Sequence, residues 1–342
     1  MTIGPVTNSH REISVTEPVS PALERVKTML FKPFDLGKWF TIGFCAWLAF
    51  LGEGGGAGGG FNNSFNNNFN SGNGGSAGES LRHGYHQARD YVVDNLAWII
   101  PLAAVAMVLL LALWLLILWL SSRGKFMFLH CVALDRAELA EPWSKFEREA
   151  TSLFWFRLVL GLIGMVLMLP MVAGIALMIV RMVLRGEPDA GSIVAAAGLG
   201  LIFIAAAIVF ALIHKFTTDF VVPIQFLRGG KCLAAWREFW RLLADNAGLF
   251  TLYILFQIVL GMAIGIIVLG AIIITCCIAG CLMIIPYIGT VVLLPVLVFK
   301  RSYPLYFMRQ FGPGYDVFPP APAAPMVEGV TAATGGVVIS AF

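Results

Sequence analysis

The chain has 342 residues, of which 58% are hydrophobic and only 13% charged, with a mean hydropathy of +0.83 and a formal net charge of +3. Soluble domains carry about 25% charged residues, so a soluble globular protein is excluded. The fold class expected is all-α: a polytopic membrane helical bundle of about six transmembrane helices in three hairpins, each preceded by an amphipathic interfacial helix.

Residues 1–20 read as a disordered N-terminal tail with no apolar core of signal-peptide type, so the first span itself should direct insertion. The membrane domain is expected over 21–311. It opens with an amphipathic segment in which Leu23, Val26 and Leu30 accompany Glu24, Arg25, Lys27 and Lys32, started by a Ser20 cap and Pro21. The first span, 36–52, is marginal: Trp39–Leu51 is 13 uninterrupted apolar residues, lengthened by Leu36, Gly37 and a snorkelling Lys38.

The external loop 52–78, rich in Gly and Asn, lacks the Gly-Lys-Ser/Thr that a phosphate-binding loop needs and reads as spacer. Leu81, Tyr85, Ala88, Val92 and Leu96 then recur at helical spacing into the second span, 96–120. On the other face His83, His86, Asp90 and Asp94 fall within roughly 80° of one another at 100° per residue. Imidazoles and carboxylates so grouped form a possible external polar cluster able to hold a divalent metal, although solvated polar groups on a wet helix face need no such role. No metal or other cofactor is expected overall.

A second amphipathic segment, Trp143, Phe146, Ala150 and Phe154 with Lys145, Glu147, Arg148 and Glu149, carries Pro142 at its start and leads into the spans 158–180 and 192–213. A third is CLAAWREFWRLLAD, residues 232–245. Cys232, Leu233, Trp236, Phe239, Trp240 and Leu243 lie within roughly 120° of one another. Lys231, Arg237, Glu238, Arg241 and Asp245 occupy the opposite arc. Indole prefers the membrane interface and anionic lipid attracts cations, which marks Lys231, Trp236, Arg237, Trp240 and Arg241 as lipid-interface residues. Packing of the aromatic face beneath the bundle is the other reading, and the two are compatible.

The run 247–299 holds 53 residues without a charge, twice the length of one crossing. It divides into spans 249–274 and 284–300 around Gly280, Pro286 and Gly289. Pro170 and Pro295 mark kinks, and Gly261-x-x-x-Gly265 with the alanines at 205–207 should let backbones approach closely. Residues 312–342 form a Pro/Ala-rich disordered tail. Phe128-Leu129-His130, Phe226-Leu227-Arg228 and Phe307-Met308-Arg309 follow the three even-numbered spans and suggest a threefold unit of surface helix plus hairpin.

Lys and Arg are distributed unevenly. The segments 1–38, 121–157, 214–248 and 300–342 hold 19 of them, whereas 52–95, 181–191 and the 280s hold 4. By the positive-inside rule both termini are cytoplasmic. Ionisable groups are confined to span ends, with Tyr253, Gln257 and Thr290 the notable polar groups inside, a pattern against ion-coupled transport. The six cysteines have no metal or redox spacing, although a bridge from Cys281 to Cys276 or Cys277 is open. No catalytic constellation is present, so the chain is read as no enzyme.

Three segments carry a family resemblance: LFKPFDLGKWFTIGFCAWL (30–48), PIQFLRGGKCLAAWREFW (223–240) and PVLVFKRSYPLYFMRQFGP (295–313). They resemble a group of uncharacterised prokaryotic multi-spanning membrane proteins, similar to the membrane domain of some glycerophosphoryl diester phosphodiesterases. The resemblance covers most of 20–315 and implies residence in a prokaryotic cytoplasmic (inner) membrane, with no catalytic residues. The expected role is a non-enzymatic membrane-organising or partner-binding component; the alternative is a passive or gated transporter or channel for a small or lipidic solute. Membrane lipids, and membrane-protein partners, are the expected contacts; nucleic acid is not.

Overall fold

The structure, a computed structural model, describes residues 13–51, 96–185, 190–275 and 285–318. Every regular element among them is helical: α1 Val19–Phe31, α2 Leu36–Phe50, α3 Leu96–Leu134, α4 Ala140–Lys145, α5 Glu147–Arg185 and α6 Ala190–Phe216. A π-helical turn, Thr217–Val221, joins α6 to α7, Val222–Arg228. Then come α8 Cys232–Asp245, α9 Ala247–Ile274, α10 Pro286–Val292, α11 Leu294–Arg309 and a short 3-10 turn, Pro313–Tyr315.

Four helical runs are long and apolar enough to cross a membrane: Trp98–Leu134, Glu147–Arg181, Ile193–Arg228 and Ala247–Ile274. Their most apolar stretches are turned outward. Trp98 is 82% exposed, Leu201 and Ile266 are each 72% exposed, and Val166 is 69% exposed. A continuous apolar exterior of this size is unsustainable in water and is satisfied by lipid, so the chain is a membrane protein.

These helices are longer than the bilayer requires. The 39 residues of α3 extend about 58 Å at ~1.5 Å per residue, roughly twice the hydrocarbon thickness. The helix therefore has two parts. Large side chains are exposed from Trp98 to Leu116, whereas Ser121–Ala133 is buried. Around that second part the core gathers α1, α2, the start of α5, the π turn, α7, α8, the start of α9, and α11. Its largest wholly buried side chains include Phe126, Phe128, Phe220, Phe239, Phe250, Tyr253, Tyr303 and Phe307.

Helix α2 enters this core rather than the lipid-facing belt. Asp35 caps it by accepting from the Gly37 amide at 2.8 Å, which satisfies one of the four orphan N–H groups of the first turn. It runs antiparallel to the buried part of α3: Lys38 pairs with Asp135 at 2.9 Å, Cys45 Sγ lies 3.7 Å from Cys131 Sγ, and Ser121 Oγ donates to the Ala49 carbonyl at 3.0 Å. Its end at Phe50 thus stands beside Ser121, and residues 96–120 extend about 37 Å further at ~1.5 Å per residue. With 15 residues α2 is also shorter than the roughly 20 a crossing needs. The first predicted hairpin is therefore staggered.

Other expectations are corrected by the geometry. Helix α1 begins at Val19 behind Pro18, without a side-chain cap, so Ser20 is not the cap. Leu23 is 55% exposed, and Ala22, Val26, Met29 and Leu30 form the buried face. The amphipathic segment before the third span is not a separate surface helix: past a break at Phe146 it continues directly as α5, Glu147–Arg185. Pro170 lies within α5 without ending it. The sixth predicted span is divided at Leu293, where Pro295, with no N–H to give, sits in the first turn of α11. The repeated tripeptides end at corresponding places, each within the last two turns of α3, α7 and α11.

Polar groups lock the ends of these helices. Arg25 donates to the Val132 carbonyl at 3.1 and 2.9 Å and to the Ala133 carbonyl at 2.9 Å, covering the orphan carbonyls that close α3. Arg123 lies 4.8 Å from the ring centres of both Trp119 and Trp143 and pairs with Glu147 at 2.8 Å, tying α3 to α4 and α5.

Candidate functional site

Helix α8 divides its apolar arc between two surroundings. Cys232, Ala235 and Phe239 face the core, and Phe239 stacks on Phe220 with ring centres 5.2 Å apart. Burial pushes the Cys232 thiol up to about 12, which makes it an inert packing group rather than a nucleophile. Trp236 is half-buried against Phe156. Leu233 and Trp240, by contrast, are 69% and 63% exposed. Seven residues apart, they share one azimuth of the helix, and Arg237 and Arg241, both exposed, stand beside them. The expected lipid-interface residues thus separate: Trp240, Arg237 and Arg241 form one exposed edge, Trp236 packs inward, and exposed Lys231 precedes the first turn.

A second feature lies where the lipid-facing part of α3 gives way to the core. Ala49 and Phe50 of α2, Lys125 and Phe128 of α3, Ala211, His214 and Lys215 of α6, Thr218 and Asp219 of the π turn, and Lys300 and Arg301 of α11 line a cavity of about 390 Å3. Four Lys or Arg side chains face one carboxylate there. The π turn holds the polar wall: Lys125 donates to Thr218 Oγ1 at 2.7 Å, and Arg301 to the Thr218 carbonyl at 2.6 Å. Wide turns of this kind free backbone groups from the regular ladder and recur at functional sites. Asp219 accepts from the Tyr253 hydroxyl at 2.9 Å and pairs with Lys215 at 2.7 Å, and Gln257 donates to the Tyr253 oxygen at 3.0 Å.

Tyr253 and Gln257, the polar groups expected inside a span, therefore belong to an interhelical chain anchored on Asp219. Thr290 bonds within its own helix, to the Tyr287 carbonyl at 2.7 Å. Replacing Asp219 by Leu leaves the buried Tyr253 hydroxyl and Lys215 without their shared acceptor. A loss of about 2 kcal/mol is expected, read as a lower melting temperature in detergent.

The sequence named none of the cavity's charged residues as a site. The cations counted only toward orientation, and their one visible signal is that Lys125, Lys215 and Arg301 follow the ends of even-numbered spans and Lys300 closes one. Conversely, Gly261 and Gly265 do not mediate a close approach: a Cβ on either meets nothing within 4 Å among the described residues. The close glycine is Gly124. The possible metal cluster of His83, His86, Asp90 and Asp94 lies outside the described residues, as do Cys276, Cys277 and Cys281. Cys45, Cys131 and Cys232 are buried free thiols. His130 is wholly buried, with its ring against Phe146 and Phe226 at 6.0 and 6.4 Å.

Searches of curated proteins and of solved structures return no match. A family of unknown function, DUF7544, matches residues 13–294, which include the buried part of α3, the π turn, α8 and all of α10, and stop at the first residue of α11. An all-helical membrane chain matched over that much of its length belongs to this family of unknown function, DUF7544.

Proposed function

We propose that the protein is a non-enzymatic membrane-organising component of a prokaryotic cytoplasmic membrane, engaging anionic lipid, and through it partner membrane proteins, at its basic face. The observation that carries this reading is the exposed edge of α8: Leu233 and Trp240, more than half exposed, beside Arg237 and Arg241, on a helix whose opposite side is fixed in the core. An apolar and aromatic stripe flanked by cations suits the headgroup layer, where each cation contributes about 1 kcal/mol toward anionic lipid. In this reading α8 is a docked interfacial helix, and both interfacial contact and packing beneath the bundle hold at once.

The cation asymmetry of the loops supports cytoplasmic termini and an external 52–78 segment. In this proposal the four long helices are the crossings, and α2 and the α10–α11 pair, shorter and packed largely in the core, complete the first and third hairpins. Likeness to the membrane domains of glycerophosphoryl diester phosphodiesterases rests on the three motifs and supports a lipid-facing role without supplying chemistry. A conduit gains little from Tyr253 and Gln257, since both are engaged with the Asp219 chain.

The test uses Trp240 as reporter in vesicles. Brominated phosphatidylglycerol should quench tryptophan emission more than brominated phosphatidylcholine does, and the excess should vanish in Trp240→Phe. Arg237→Glu with Arg241→Glu should reduce the excess at least about fivefold. Equal quenching by the two lipids would contradict the reading.

A further inference from the structure

We propose that the cavity at the π turn binds the phosphate headgroup of an anionic membrane lipid, with an acyl chain of that lipid lying in the groove between α3, α5 and α6. This deepens the preceding reading and rests on it only in placing the chain in lipid. The site is internal and separate from the edge of α8.

Charge comes first. Lys125 and Arg301 are 3% and 5% exposed, so both cations are held against the cavity wall rather than in bulk water. Lys215 and Lys300 join them, and among the described lining residues Asp219 is the one carboxylate. That carboxylate is already engaged by Lys215 and the Tyr253 hydroxyl. Two desolvated cations with two solvent-reaching ones beside them favour a compact multivalent anion, and phosphate offers several strong acceptor oxygens at once. The volume of about 390 Å3 exceeds the need of a bare phosphate and falls in the range of roughly 300–1,000 Å3 typical of small-molecule sites.

The remaining wall identifies the source of the phosphate. Ala49, Phe50, Phe128 and Ala211 are apolar, and a free aqueous anion gains nothing from them. His214 lines this cavity and also a second groove of about 470 Å3, formed by Trp114, Leu118, Gly161, Gly164, Phe203 and Ala207 with others. His214 is thus a wall shared by the two. Gly161 and Gly164 lie along that groove, where a Cβ on either would stand 3.4 to 3.5 Å from Phe210 or Trp114, in ordinary van der Waals contact. Arg157 stands at its polar end, donating to Ser121 at 3.2 Å and Ser122 at 3.3 Å. A basic chamber adjoining an apolar groove across His214, at the border of the lipid-facing surface, matches the two-part chemistry of a phospholipid.

The experiment is native mass spectrometry of the full chain in detergent with dioctanoyl phosphatidate, dioctanoyl phosphatidylcholine or inorganic phosphate. Phosphatidate should be retained at least about tenfold more tightly than phosphatidylcholine. Lys215→Gln with Lys300→Gln, made at side chains that reach solvent, should abolish that preference; Arg136→Gln, on a distant exposed cation, should leave it unchanged. Ala207→Phe, which fills the groove, should weaken phosphatidate and spare inorganic phosphate. Equal retention of the two lipids, or a preference that survives the double lysine variant, would overturn the site. Inorganic phosphate displacing phosphatidate at equal concentration would overturn the lipid assignment. Short-chain lipid in micelles does not depend on the α8 edge, so this outcome and the vesicle quenching outcome are read independently.

Discussion

Gly124→Val is expected to cost about 3 kcal/mol or more, at or above the upper end of what overpacking usually does. A Cβ on Gly124 would stand 2.5 Å from the Ala49 nitrogen, 2.5 Å from the Leu48 carbonyl carbon and 2.7 Å from Leu48 Cβ. Two of those atoms are backbone, so relief requires moving α2 away from α3. That movement would also pull apart the Ser121 bond to Ala49 and the Lys38–Asp135 pair. Thermal unfolding in detergent checks it, with Gly265→Ala as the comparison. There a Cβ meets nothing within 4 Å, and helix propensity alone makes Ala slightly stabilising. If the two variants lose equal stability, the close approach of α2 to α3 is wrong. Gly43 faces a softer neighbour, the Val291 side chain at 2.7 Å, which can turn, so Gly43→Ala should cost less than Gly124→Val.

Phe220→Ala should cost about 3–5 kcal/mol, the usual range for a buried phenylalanine truncated in a core that cannot close around the cavity. The ring is wholly buried, stacked on Phe239 at an interplanar angle of 9° and meeting Phe250 edge-on at 5.2 Å and Tyr253 at 5.0 Å. Phe307 closes the group at 6.1 Å. One side chain on the π turn thereby fastens α8, α9 and α11 to the α6–α7 run. Much of the loss is packing, since a lipid-embedded chain gains little from apolar burial alone. A Phe220→Ala, Phe239→Ala double variant should lose less than the sum of the two single ones, because the rings touch. Strict additivity in chemical or thermal unfolding would show that the stack is not formed.

Hydropathy and helix length agree for four stretches of the chain. The predicted spans 96–120, 158–180, 192–213 and 249–274 all lie inside long apolar helices. Their inner ends were illegible. Ser121, Arg123, Lys125 and His130 look like a polar loop, yet α3 continues through them: all four are buried, the first three bonded by other elements and His130 packed between aromatic rings. Hydropathy marks where a helix meets lipid, whereas its end is set by where backbone bonding stops.

The shorter spans diverged for the opposite reason. One face of α2, Ile42, Cys45, Ala46, Leu48 and Ala49, is buried against protein while Phe40 and Phe44 stay exposed, so packing rather than bilayer thickness sets its 15 residues. Arg25 was legible as one cation on a polar face, and its role in closing α3 depends on a contact 107 positions away. The cavity was hidden in the same manner: residues 49, 125, 215, 218 and 300 come from separate elements, and only the placement of 125, 215 and 218 after even-numbered spans, with 300 closing the sixth, hinted at a common level. On α8 the periodicity located the amphipathic arc, but the split between Phe239 inside and Trp240 outside is a matter of which neighbours exist.

The orientation of the whole chain depends on cations having stayed on the side where synthesis left them. Single cysteines at Ser71, Ser9 and Ser340, placed in an otherwise cysteine-free chain and treated in intact cells with a membrane-impermeant maleimide, test this most directly. Labelling at Ser71→Cys alone, with the two terminal positions labelled only after the membrane is opened, is the expected result. Protection at Ser71→Cys together with labelling at either end would contradict the account.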